Sequence, residues 1–161
     1  MSGELKNQRV AILATDGFDQ SELTDPIQML RRNGPAVDII SLRSGQIQGT
    51  QHKEKGAKAR VYIVLDQANA DNYTALVLPG GVANPDVLRT DPRATRGVRF
   101  VSQFVDAGKQ PIAANCHVPR TLIEADAVRG RLMTSWPSLK KDLGNAGVEW
   151  VDQEVCLTRG W

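Results

Sequence analysis

Hydrophobic residues occur in this chain as short unbroken runs set between glycine-punctuated polar stretches, beginning with Val10-Ala11-Ile12-Leu13-Ala14. A continuous apolar run ended by Asp16-Gly17 suits a strand buried on both faces of a parallel sheet. Asp19 and Glu22 follow with the D-x-x-E spacing of a helix start, and Leu23, Ile27 and Leu30 continue at helical intervals until Asn33-Gly34-Pro35. Pro26 either kinks a helix begun at Asp19 or opens one capped by Asp25. Residues 37–42, 61–65 and 74–78 read as further strands, and the polar stretch 44–60 as a loop or hairpin excursion.

The strongest helical period joins Ala94, Val98, Val101, Phe104 and Val105, with Asp91-Pro92 at its start and Gly108 as its stop. Arg89, Arg93, Arg96 and Arg99 share the other side as a solvated stripe, an acidic partner surface being the alternative. Residues 111–114 form another apolar run and 132–134 a strand. Residues 137–145 form a short helix with Leu139 and Leu143 inward and Gly147 as the stop, and 155–157 a last strand. Strand and helix alternate, which predicts a three-layer α/β sandwich with a mostly parallel central sheet and helices on both faces.

Composition narrows the classes of function. With 161 residues and 41% of them hydrophobic, residues 1–161 have room for one core and read as a single domain. The net charge is only +2, and no Lys/Arg block interleaves with aromatic residues, so nucleic acid is not an expected partner. The amino-terminal stretch is polar and no apolar run approaches spanning length, so a cytoplasmic protein with no membrane partner is expected. Cys116 and Cys156 form no C-x-x-C pair, and His52 and His117 are too few for a cluster, so no disulfide, metal or cofactor is expected. His52 and the neighbouring Lys53-Glu54-Lys55 read as solvated surface.

The candidate chemistry centres on Pro111-Ile112-Ala113-Ala114-Asn115-Cys116-His117-Val118-Pro119, where an apolar run breaks at a cysteine and resumes as a helix through Leu122, Ile123 and Ala125. That is the outline of a nucleophile elbow: free N–H groups and a helix dipole at the turn favour an anion, so a thiol there is expected to lose its proton more easily. A buried, inert cysteine is the alternative. The spacing of Glu22 from Asp19 is accounted for by a capping box. Pro79-Gly80-Gly81 follows a strand where open α/β sheets place ligand loops, though an ordinary turn fits as well. Asp86 fits a helix cap, and Trp136 a core aromatic.

Ala114-Asn115-Cys116-His117-Val118-Pro119 resembles the A-x-C-H-G-P elbow of the ThiJ/PfpI superfamily, which shares a flavodoxin-like fold with class I glutamine amidotransferases. Leu76-Val77-Leu78-Pro79-Gly80-Gly81 matches that family's strand-to-loop motif. Arg129-Gly130-Arg131, Thr134-Ser135-Trp136-Pro137-Ser138 and residues 145–152 resemble its PfpI branch. The resemblance implies that Glu22 is a pocket glutamate and that the Gly81 and His117 amides form an oxyanion hole. It further implies that Trp136 lines the pocket and that Asp86, across a one-residue gap, matches an acid reaching a neighbouring subunit's histidine. A protonated Glu22 carboxyl favours a thiolate and an ionised one opposes it. Val118 stands where the family has glycine, Asn115 puts a polar group before the nucleophile, and Asp19 stands in place of a second glutamate. The family continues past residues 155–157 with a covering helix, so the fold is expected to be short at its carboxyl terminus, with part of one sheet face open.

The function this implies is a stress-response enzyme that attacks reactive carbonyls through Cys116, as a glutathione-independent glyoxalase or a deglycase. Its substrates would be a small aldehyde or a glycated protein, and its assembly a homodimer or higher homo-oligomer. The alternatives are an intracellular cysteine peptidase or amidase in which Asp86 orients His117, and a non-enzymatic redox-sensing or holdase protein.

Overall fold

A computed structural model describes residues 5–91, 94–108 and 110–158. Pro92, Arg93 and the Ala94 side chain, expected at the start of the long helix, lie outside them. The chain runs β1 (Arg9–Leu13), β2 (Phe18–Asp19), α1 (Gln20–Asn33), β3 (Ala36–Ser41), β4 (Gln46–Gln51), β5 (Glu54–Arg60), β6 (Ile63–Val64), β7 (Ala75–Leu78) and α2 (Ala83–Thr90). It continues through α3 (Ala94–Ala107), β8 (Ile112–Ala114), α4 (Pro119–Glu124), β9 (Leu132–Met133), α5 (Lys140–Asn145) and β10 (Glu149–Trp150).

The central sheet has the order β6-β3-β1-β7-β8, and every pairing in it is parallel. Side chains of β1 alternate between two cores. Ala11 and Leu13 pack with Leu88 of α2, Phe100 and Phe104 of α3, Leu122 of α4 and Leu143 of α5. Ile12 and Ala14 pack with Leu23, Ile27 and Leu30 of α1 and with Ile39 and Ile47. The unbroken apolar run is therefore the sequence of a strand covered on both faces, and the α/β three-layer arrangement is the observed one.

Helix α1 passes through Pro26 without ending. It is capped by the Asp19 carboxylate, which accepts the Ser21 and Glu22 amides at 3.0 and 3.3 Å, and it closes on Gly34 in the left-handed region. Residues 44–60 resolve into a hairpin of β4 and β5, with exposed His52 in its turn.

Several expectations need correction. The strand at 61–65 shrinks to β6, because Leu65 turns into a short 3-10 helix, Leu65–Gln67. Residues 155–157 are not a strand: Val155 and Leu157 are 69% and 91% exposed, and β9 pairs with β10 instead. A strand needs a ladder, and the segment's hydrogen bond is Cys156 Sγ donating to the Leu132 carbonyl at 3.3 Å. The arginine stripe divides between helices, since Arg89 belongs to α2 and Arg96 of α3 pairs with Asp66. Among the described residues the β7–β8 face beside α1 is open, with Ala113 exposed in a groove of about 450 Å³ that Val77, Val155 and Leu157 also line.

Candidate active site

Strand order reverses at β1, with β3 and β6 on one side and β7 and β8 on the other. The carboxyl ends of β1, β7 and β8 therefore lie at the switch point, the place where doubly wound sheets hold ligands. The amino end of α1 closes it.

Cys116 stands just past β8 with φ at 56°, in the left-handed region. A β-carbon is strained there, and a side chain held in such a turn between strand and helix is thrust outward from both. The two departures in the elbow do not crowd it. Val118 is fully buried and packs into the core with Leu122, while Asn115 is exposed and bonds through its amide to the Leu78 carbonyl at 3.3 Å.

Four groups address the Cys116 sulfur. His117 Nδ1 lies 3.1 Å from Sγ. The Gly81 and His117 amides and the Glu22 carboxyl also lie close enough to act on its charge. Glu22 is not closing a capping box, because the Asp19 amide donates to the Gly80 carbonyl at 3.2 Å and the Glu22 Oε2 accepts the Gly80 amide at 2.7 Å. Asp19 does the capping alone, and Glu22 is released to the pocket. Gly80 permits the meeting: a β-carbon there would sit 2.5 Å from Glu22 Oε2 and 2.6 Å from Cys116 Cβ.

Asn84 is a site residue that the sequence pattern concealed. It is fully buried on α2, accepts the Thr15 amide at 2.8 Å and donates to the Pro79 carbonyl at 2.7 Å. One side chain thus ties the end of β1 to the turn that presents Gly80 and Gly81. Its signal was Asn84-Pro85, three residues past the paired glycines and just before the Asp86 that read as a helix cap.

The His117 ring is stacked on Trp136 with centroids 5.7 Å apart and planes 27° from parallel. Trp136 is 54% exposed, so it is not a core aromatic, and its amide donates to the Cys116 carbonyl at 2.9 Å. Ser138 Oγ lies 3.5 Å from His117 Nε2. Asp86 is in the first turn of α2 and makes no side-chain cap; its carboxylate takes Arg120 at 3.2 Å, with Arg89 at 4.0 Å. Within one chain, Ser138 rather than Asp86 faces the far nitrogen of His117.

The charge balance corrects one expectation. Burial pushes the Cys116 thiol above its ordinary value, and the Glu22 charge adds to this, while the Gly81 and His117 amides pull the other way. Burial likewise raises Glu22, opposed by the Gly80 amide. His117 is lowered by burial and then by the Arg120 charge, with Asp86 opposing. The resting pair is therefore a protonated thiol beside a neutral imidazole, and the helix end does not by itself make a thiolate. Among the described residues no His/Cys/Asp/Glu group is arranged to hold a metal, and no helix is long and apolar enough to cross a membrane.

Fold and site together define an α/β protein with a cysteine–histidine nucleophile elbow at a sheet switch point. Residues 8–160 match the DJ-1/PfpI family, and the chain belongs to it, in the PfpI-like branch of the ThiJ/PfpI superfamily. It is 39% identical over 153 residues to a Pyrococcus abyssi deglycase, covering 95% of this chain and 87% of that one. It is 37% identical over 153 residues to protein/nucleic acid deglycase 2 of Escherichia coli, covering 95% and 85%. A solved two-domain protein of Anabaena variabilis, with DJ-1/ThiJ/PfpI-like and ferritin-like domains, superposes with a TM-score of 0.84 at 30% identity; 94% of this chain and 41% of that one are covered.

Proposed function

We propose that the protein is a cofactor-independent enzyme that attacks reactive α-oxoaldehydes, free or as early adducts on proteins, in the manner of a glyoxalase or deglycase. The observation that carries this reading is the Cys116 sulfur, 3.1 Å from a neutral His117 Nδ1 and faced by two backbone donors. The deglycase names of the two relatives support the carbonyl substrate class.

The residues account for each step. Sγ bonds to the aldehyde carbon, the thiol proton passes to His117 Nδ1, and the carbonyl electron pair becomes an oxyanion held by the Gly81 and His117 amides. The proton returns from His117 to that oxygen, giving a hemithioacetal. Glu22, when ionised, removes the proton from the former aldehyde carbon, giving an enediol. Reprotonation at the adjacent carbon yields a 2-hydroxy thioester. Water then cleaves the thioester to a 2-hydroxy acid and restores the thiol. One carbon is oxidised and its neighbour reduced, so no external oxidant enters.

Purified protein given methylglyoxal without glutathione is expected to form lactate, and Cys116→Ala to form none. Lactate from that variant would remove Cys116 as nucleophile. No lactate from the parent chain would remove the free-oxoaldehyde reading. The same protein is proposed to work in the cytoplasm as a single-domain homo-oligomer.

A further inference from the structure

The ring of His117 is fixed at three points, and the third has no role in the scheme above. Nδ1 meets Sγ at 3.1 Å, the ring face lies on Trp136, and Nε2 meets Ser138 Oγ at 3.5 Å. A neutral imidazole carries one proton, and its position decides whether Nδ1 accepts from the thiol or donates to it. Sγ already faces donors in the Gly81 and His117 amides. Another donor at Nδ1 would leave the thiol proton with no base to receive it.

We propose that Ser138 is a positioning residue that fixes His117 in the Nε2–H tautomer, its hydroxyl oxygen accepting that proton so that Nδ1 presents a lone pair to Cys116. The proposal deepens the carbonyl reading and supplies from within one chain the partner that a cysteine–histidine pair requires. The orienter of a catalytic histidine is ordinarily a carboxylate, and the carboxylate nearest in role, Asp86, is engaged by Arg120. A hydroxyl accepts the Nε2 proton without adding negative charge, so it selects the tautomer and leaves the imidazole weakly basic.

Ser138 is delivered by the same segment that holds the ring. Trp136 is tied to the elbow through its amide and the Cys116 carbonyl, and Pro137–Leu139 winds into a 3-10 turn with Leu139 fully buried. The turn is thereby anchored at both ends while the serine between them stays exposed. At 3.5 Å the contact is long, as such contacts are in unliganded sites, and it shortens as Nε2 gains positive character.

The test measures Cys116 alkylation by iodoacetamide between about pH 6 and 10, with nitrogen NMR of the His117 tautomer, in the parent chain, Ser138→Ala, Ser138→Thr and His117→Ala. In Ser138→Ala, neutral-pH alkylation is expected to fall about tenfold, the weight of one lost neutral hydrogen bond, while the alkaline plateau is unchanged. The NMR signature is expected to move from Nε2–H toward Nδ1–H, and Ser138→Thr to restore both. An unmoved plateau shows that the fold and pocket are intact. An unchanged tautomer in Ser138→Ala, or equal loss at every pH, overturns the proposal. Alkylation presumes no substrate, so failure of lactate formation with these expectations met would sink the carbonyl reading alone.

Discussion

Glu22 Oε2 accepts the Gly80 amide at 2.7 Å across 58 residues of sequence, and the same carboxyl acts on the charge of the Cys116 sulfur. It therefore couples the loop of Gly80 and Gly81, the proposed oxyanion donor, to the proposed nucleophile. Its charge opposes formation of a thiolate, and its proton assists it.

Glu22→Gln separates these two effects. The neutral amide keeps an oxygen for Gly80 and removes the charge that helps raise the thiol, so iodoacetamide alkylation at neutral pH is expected to rise. Turnover of methylglyoxal is expected to fall by about 10²–10⁴, the usual worth of a positioned acid–base group. Paired alkylation and lactate assays check the split; a parallel rise in both would show that Glu22 moves no proton.

The same variant tests pH-linked stability. Glu22 has a raised folded pKa, so its burial is tolerated at low pH and costs stability as pH rises through that value. Glu22→Gln is expected to melt higher than the parent chain at pH 7, with the gap closing near pH 4. His117 has the opposite sign. Its folded pKa is lowered, so its contribution is present above about pH 6.5 and is lost as pH falls through the folded value. Thermal melts across this range, with His117→Asn as the control, separate the two groups.

Asn84→Ala strips partners from the Thr15 amide and the Pro79 carbonyl, both of which it serves from a fully buried position. A loss of about 2–4 kcal/mol is expected in denaturant titrations. Because the turn carrying Gly80 and Gly81 loosens, Cys116 alkylation is expected to lose its neutral-pH component in the variant that remains folded. A stability change below about 0.5 kcal/mol, the range of an ordinary surface substitution, would show that the amide is not bracing the turn.

The open β7–β8 face gives a prediction of a different kind. Val155 and Leu157 line the groove yet remain 69% and 91% exposed, so Val155→Ser and Leu157→Ser are each expected to leave stability within about 0.5 kcal/mol. The chain is expected to take up an apolar dye, since no described residue covers the groove. Thermal melts and dye fluorescence check both; a large loss on either substitution would mean that the segment is packed.

What was legible in the sequence follows from the range of the forces involved. The double-faced burial of β1 is written in five consecutive apolar residues, and the elbow in the break at Cys116. Helix α2 was legible only as a cap at Asp86, which places its start too late: Asn84, Pro85 and Asp86 already lie in its first turn, and the buried Asn84 amide is satisfied from two other segments. Strand β10 is two residues long, too short for hydrophobic alternation to show, and its parallel pairing with β9 is reached only across the α5 crossover. The apolar residues at 155–157 pointed to a strand for which no ladder exists. For Glu22, helix-start spacing masked the truth, because Asp19 caps without it. Ser138 was legible only as the end of the Thr134–Ser138 motif, and not as a neighbour of His117, since the ring is brought to it from 21 residues away.

The 56° φ at Cys116 sets the demands of folding against those of reactivity at a single residue. Glycine visits that conformation freely, whereas any other side chain there carries about 1–3 kcal/mol of strain. Cys116→Gly should accordingly outlast both the parent chain and Cys116→Ala in heat, inert but more durable. A lineage relieved of its reaction would find its easiest gain in robustness by erasing the one sulfur at its centre.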